Sequence, residues 1–229
     1  MKSLRKQRVL IVVAHPDDET IGAGGTIARF SKLGFSVYAA SLTNGVGARG
    51  WGDLESSLRK KNSMEAAARL GFTWVHQGEF PDNSMDSIPF LDVVKELEKI
   101  KKIVEPEIVF THSNADLNID HRIVAAAVLT AWRPTPDCMA TDIIAMEIPS
   151  ATDFAPNGFF GSFSPNYSID ITDTWQNKLE ALLCYQEEIQ PSPYSRSIIG
   201  IDALSTLRGH QIGVERAETF EIIRKIERA

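Results

Sequence analysis

The residues with the most chemical potential run Val12-Val13-Ala14-His15-Pro16-Asp17-Asp18-Glu19-Thr20, an apolar stretch that passes straight into an imidazole and three acids. Adjacent carboxylates repel one another, and the motif holds no basic residue, so it asks for positive charge from elsewhere. Pro16 disfavours helical dihedrals at His15 and holds it extended. Asp18 lies three residues further on, where a first helical turn brings its carboxylate beside the imidazole; Asp17 points another way. One nitrogen and one oxygen ligand converging, with a third acid free, form half of a catalytic zinc site. Such sites take three protein ligands of the His and carboxylate type and keep one position open. A cation there would also offset the crowded carboxylates.

A third ligand must come from elsewhere, and four further histidines are available: His76, His112, His121 and His210. The segment Thr111-His112-Ser113-Asn114-Ala115-Asp116-Leu117-Asn118-Ile119-Asp120-His121-Arg122 is the best source. It follows an apolar run that could neighbour the first one, and His121 opens a helical stretch beside two capping candidates, Asn118 and Asp120. On chemistry alone, His112 and His121 are close competitors.

These residues need a frame. Short apolar runs at Arg8–Ala14, Phe35–Leu42, Thr73–His76, Glu107–Thr111 and Asp142–Ile148 alternate with helical stretches at Gly24–Leu33, Leu54–Leu70, Leu91–Val104 and Asp120–Trp132. Strand–helix alternation at short connections means βαβ units and a mostly parallel sheet. The unbroken apolar character of Arg8–Ala14 marks a central strand covered on both faces. The expectation is one α/β domain over residues 1–229, a three-layer sandwich with helices on both faces of the sheet. In such sheets ligands collect beyond the carboxyl ends of the strands, which is where His15–Glu19 falls. Ser150–Asn166, rich in glycine, proline and aromatics, reads as a loop layered over the site. Further on, Tyr167–Ile171 reads as a strand and Thr174–Ile189 and Ile198–Leu207 as helices. Ala217–Ile223 is ambiguous between strand and helix.

Composition narrows the function. A formal net charge of −6 argues against nucleic-acid and anionic-membrane partners. No apolar run approaches the roughly 20 residues that span a bilayer. Two cysteines, Cys138 and Cys184, fit two half-buried thiols in a reducing cytosol, so a cytoplasmic location is expected. The glycines at Gly22, Gly24 and Gly25 invite a nucleotide-binding oxidoreductase as a rival, but the dinucleotide fingerprint starts immediately after its strand. Here an acid-rich loop intervenes, and the glycines fit close helix-to-sheet packing better.

Taken together, AHPDDE after the first strand, G-x-G-G at the next helix and DLNIDHR after the fourth strand resemble the PIG-L/LmbE family of zinc-dependent N-acetyl-sugar deacetylases. The resemblance extends to PNYSIDI near residue 165 and to the LRGHQIGVERAETF tail. It implies a Rossmann-like fold, one zinc ion per chain held by His15, Asp18 and His121, and Asp17 as general base. Fe²⁺ and Co²⁺ accept similar ligands. The reaction it implies is loss of acetyl from a GlcNAc-type sugar, nucleotide-linked or part of a glycan pathway, through a zinc-activated water. Two positions depart from the family pattern. Asn118 stands where many members have a histidine that helps the tetrahedral intermediate; it can donate a hydrogen bond but cannot shuttle a proton. Oxyanion help would then fall to the metal, Arg196 or His210. Val46 stands where some members have an acid that contacts the sugar. Arg49 in the glycine-rich loop is a candidate for a sugar hydroxyl or phosphate, and Trp51, Phe154, Phe159, Phe160 and Phe163 could stack on a ring. A non-catalytic relative that binds only sugar or metal remains a third reading, and homo-oligomerisation stays open.

Overall fold

The computed structural model describes residues 7–47, 53–136 and 140–227. Its centre is β1 (Arg8–Val13), whose residues from Val9 onward are all buried. It pairs in parallel with β2 (Ser36–Thr43) on one side and β4 (Ile108–His112) on the other. Beyond β2 lies β3 (Thr73–Phe80), and beyond β4 lies β5 (Asp142–Met146), both again parallel. Two antiparallel strands, β6 (Tyr167–Asp170) and β7 (Ala217–Arg224), complete a seven-stranded sheet of order β3-β2-β1-β4-β5-β7-β6.

Strand alternation sends successive β1 side chains to opposite faces. Val9, Ile11 and Val13 pack with α1 (Asp18–Lys32), α2 (Asp53–Leu70), α5 (Trp175–Leu182) and α6 (Ile198–His210). Leu10, Val12 and Ala14 face α3 (Phe90–Val104) and α4 (Ile119–Ala131). The expected three layers are present. Helix α3 shows why: Val93, Val94, Leu97, Ile100 and Val104 recur at helical spacing and form a buried stripe, while its lysines stay outside. Among the described residues, no helix is long and apolar enough to cross a membrane.

Four elements differ from the sequence expectation, each for a local reason. Helix α1 starts at Asp18 rather than Gly24, because its first turn is made of acids buried in the site and carries no apolar period. Strand β3 runs past His76 to Phe80; it is an edge strand with polar residues, so the apolar signal fades before the pairing does. The helix expected at 174–189 is cut to α5 and a following 3₁₀ turn, Leu183–Tyr185. The ambiguous 217–223 segment is β7, where a buried Glu218 interrupts the strand pattern.

Leu97 is fully buried at the centre of the α3 stripe. Leu97→Ala should lower unfolding free energy by about 2–5 kcal/mol, the usual cost of a cavity left by leucine, as read from urea denaturation.

Candidate metal centre

The tip of β1 and the first turn of α1 bring His15 and Asp18 together as their spacing requires. His15 Nδ1 lies 3.2 Å from Asp18 Oδ2. His121, on the first turn of α4, places its Nε2 3.3 Å from each of those two atoms. Ligand atoms about 2.0–2.1 Å from a tetrahedral cation lie about 3.3–3.4 Å from one another. The three donors therefore form the face of a zinc-sized tetrahedron. All three residues are buried, and Asp18 Oδ1 has no hydrogen-bond partner among the described residues. Two imidazole nitrogens and a carboxylate oxygen facing one another in a closed space fit a divalent transition metal.

Each imidazole is oriented by a carboxylate behind it. His15 Nε2 hydrogen-bonds Asp120 Oδ2 at 3.2 Å and lies 3.1 Å from Asp82 Oδ1, which leaves the Nδ1 lone pair facing Asp18. Asp120 is itself held by the backbone N–H groups of Asn83 and Met85, at 2.7 and 3.0 Å. His121 Nδ1 lies 3.1 Å from Asp116 Oδ2. Carboxylates behind metal-binding histidines fix the tautomer in this way. Burial disfavours the charged form of His121, yet the Asp18 and Asp116 carboxylates outweigh it and raise its pKa to about 9. His112 separates from its competitor here. Its Nε2 accepts the Ala14 N–H at 2.9 Å, and its ring stacks on His121 with centroids 3.8 Å apart. That nitrogen is committed to the backbone of β1.

Asp17 is not one of the three converging donors and sits at φ +147°, a region L residues rarely adopt. The turn is over-determined around it. Thr20 and Ile21 donate their N–H groups to its carbonyl, and its own N–H donates to Glu19 Oε2. Two arginines that sequence reasoning did not pair with it approach Asp17 Oδ2: Arg59 at 3.7 Å from α2 and Arg196 at 3.6 Å from the loop before α6. Asp17 Oδ1 is buried without a hydrogen bond among the described residues. Burial and the neighbouring Asp18 push the Asp17 pKa up to about 7, against the two guanidinium charges. Glu19 is likewise raised to about 7 by burial and accepts hydrogen bonds from Thr20 and the Tyr185 hydroxyl. Arg59 also donates to the Pro16 carbonyl at 2.9 Å and forms a buried ion pair with Glu188.

The family model described as PIG-L, GlcNAc-PI de-N-acetylase, matches residues 10–132, more than half of the chain. The chain belongs to the PIG-L family. Diacetylchitobiose deacetylase of Thermococcus kodakarensis is 28% identical over 208 residues, covering 84% of this chain and 76% of that protein. 4-Oxalmesaconate hydratase of Pseudomonas putida is 26% identical over 204 residues, covering 78% and 73%. A solved structure of N,N'-diacetylchitobiose deacetylase from Pyrococcus horikoshii superposes with a TM-score of 0.77 at 23% identity, over 96% of this chain and 84% of that one. This last likeness is one of fold.

Within this PIG-L framework the remaining sequence candidates divide. Arg196 joins the site; it lines an open cleft of about 530 Å³ with Ser150, Glu188, Gln190, Pro191 and Tyr194, and so links that cleft to Asp17. Asn118 is engaged by hydrogen bonds at both ends of its side-chain amide. Its Oδ1 caps α4 by accepting the Asp120 N–H, and its Nδ2 donates to Asn83 Oδ1, so both ends are engaged away from the triad. His210 is exposed on the last turn of α6, and no hydrogen bond or ion pair ties it to the cluster among the described residues. Arg49, Trp51 and Cys138 lie outside the described residues. Val46 is buried. The loop after β5 reaches the site at its base, where Thr152 Oγ1 donates to Asp116 Oδ2 at 2.9 Å. Its Phe154 and Phe159 stay exposed. The helix glycines do not form a phosphate cradle: a Cβ at Gly22 would meet Met146 and Ile148, and one at Gly25 would meet Ile171, all within 2.8 Å.

Arg59→Leu would remove the buried guanidinium that pairs with Glu188 and would leave Arg196 as the nearer cation for Asp17. Urea denaturation should show a loss of about 3–5 kcal/mol, the range for breaking a buried pair. The exposed Arg69–Glu180 pair is the contrast: Arg69→Leu should cost under about 1 kcal/mol.

Proposed function

We propose that this PIG-L chain is a single catalytic domain that removes the acetyl group from an N-acetylated sugar, with one zinc ion held by His15, Asp18 and His121. The observation that carries the reading is the triangle of donor atoms, with edges of 3.2, 3.3 and 3.3 Å, beside an acid with one bare oxygen. Sugar specificity is inferred from the relative named for diacetylchitobiose.

A zinc ion in that triangle supplies a Lewis acid that polarises a carbonyl oxygen and makes water acidic near neutral pH. The chain's own residues do the rest. Asp17 Oδ1 takes the proton from the water that attacks the acetamide carbon. Arg59 and Arg196 hold Oδ2, so the carboxylate keeps one oxygen for the proton and one for its anchors. The carbon–nitrogen bond then breaks, and Asp17 returns the proton to the departing nitrogen. Acetate and a free amino sugar result. The cleft beside Arg196 has the volume of a small-ligand pocket and admits the substrate from the side of Asp17.

The test is acetate release from a panel of N-acetyl sugars and their nucleotide conjugates. Chelation should abolish it and zinc should restore it; release that persists after complete metal removal would sink the proposal. Hydration of an unsaturated acid without any acetate release would instead align the chain with its hydratase relative. Asp17→Asn should retain zinc by metal analysis while kcat falls at least about 10²-fold. Parallel loss of zinc and rate would make Asp17 a ligand.

A further inference from the structure

Helix α1 is broken at Ala23, which has φ −142° and ψ 16°. A break leaves carbonyls before it and N–H groups after it without helical partners, and in a buried helix each must find another. Here two side chains from the last third of the sequence meet most of that need. Lys178 Nζ, from α5, donates to the Ile21 carbonyl at 2.8 Å. Glu218, from β7, accepts the Gly25 N–H at 2.9 Å on Oε1 and the Thr26 N–H at 2.7 Å on Oε2. Lys178 and Glu218 then pair with each other at 2.6 Å, both almost wholly buried. The Thr174 hydroxyl donates to the Gly25 carbonyl at 2.8 Å.

The position of this clasp matters because the short piece of α1 before the break carries Asp18, one turn from Ile21. That piece is locked sideways as well: Gly22 lies so close to Met146 and Ile148 that a Cβ would come within 2.8 Å of either. Glycine contacts fix how near α1 approaches the sheet. The ion pair fixes how far it slides and rotates along its axis. Resting on the zinc reading above, we infer that Lys178 and Glu218 are positioning residues for the metal triad, setting Asp18 against two histidines that belong to other elements. Both lie outside the 10–132 region by which the family is recognised.

A buried ion pair need not do this, since replacing one by apolar groups is often neutral for stability. The test must therefore separate folding from placement. Glu218→Gln keeps the shape but offers only one acceptor oxygen for two N–H groups. The double variant Lys178→Met/Glu218→Gln removes both charges at similar volume and avoids stranding either. Zinc affinity of the folded protein, measured by competition with a chromophoric chelator, should fall about 10–100-fold in both, the range for residues that orient metal ligands. Leu97→Ala serves as the control, lowering stability from the opposite layer with zinc affinity unchanged. If both clasp variants lose stability yet bind zinc as tightly as the wild type, the clasp is structural only and the inference fails. If the wild type itself binds no zinc, the metal reading fails first, and the two failures are told apart.

Discussion

Everything about this site follows from the burial of carboxylates at the tip of β1. Asp17, Asp18, Glu19, Asp116 and Asp120 are each at most 2% exposed. An ionised carboxylate cannot stay in such surroundings without compensation, because burial costs it several kcal/mol of hydration. The chain answers each acid separately. Asp120 receives two backbone N–H groups, Asp116 an imidazole, Glu19 two hydroxyls, and Asp17 two guanidinium groups. Asp18 meets two imidazole nitrogens and the His15 N–H on Oδ2 and keeps Oδ1 without a hydrogen bond among the described residues, a residual demand for positive charge that the proposed cation would meet.

The parallel sheet is what allows so many polar groups to converge. In this topology the carboxyl ends of neighbouring strands open onto one rim. His15 leaves β1, Asp82 follows β3, His112 ends β4, and Asp116 and His121 follow β4. The central strand contributes twice, since its last N–H beyond Val13, from Ala14, also restrains the His112 ring. Rigid apolar packing on both faces of β1 gives the triad its precision. The donors sit on strand and helix ends rather than on long loops, so little freedom is left to lose when a ligand binds.

The PIG-L framework hosts more than one named reaction among its relatives, a deacetylase and a hydratase at similar identity. On the proposed reading the triad and Asp17 serve any reaction that needs an activated water, so they do not by themselves separate these two chemistries. On that reading discrimination falls to the surroundings, such as the cleft lined by Arg196 and Tyr194. The loop after β2 carries the buried Val46, and Asn118, after β4, is occupied as a helix cap.

Local chain geometry determined what the sequence made legible. The apolar run before His15 had to be a central strand, and the i, i+3 spacing of His15 and Asp18 had to bring them onto one side of a first turn. The amphipathic period of 91–104 likewise had to bury its leucine and valines. Such statements depend on residues a few positions apart, where backbone geometry leaves few choices. Tertiary structure alone decided the rest. His121 rather than His112 completes the donor cluster with His15 and Asp18, while one N–H from a neighbouring strand holds the His112 ring. Arg59 and Glu188 stand 129 positions apart, and Lys178 and Glu218 stand on different elements, so no period or motif announces either pair. Buried charges are satisfied by whatever the fold brings near, and that is a property of the assembled sheet rather than of any segment.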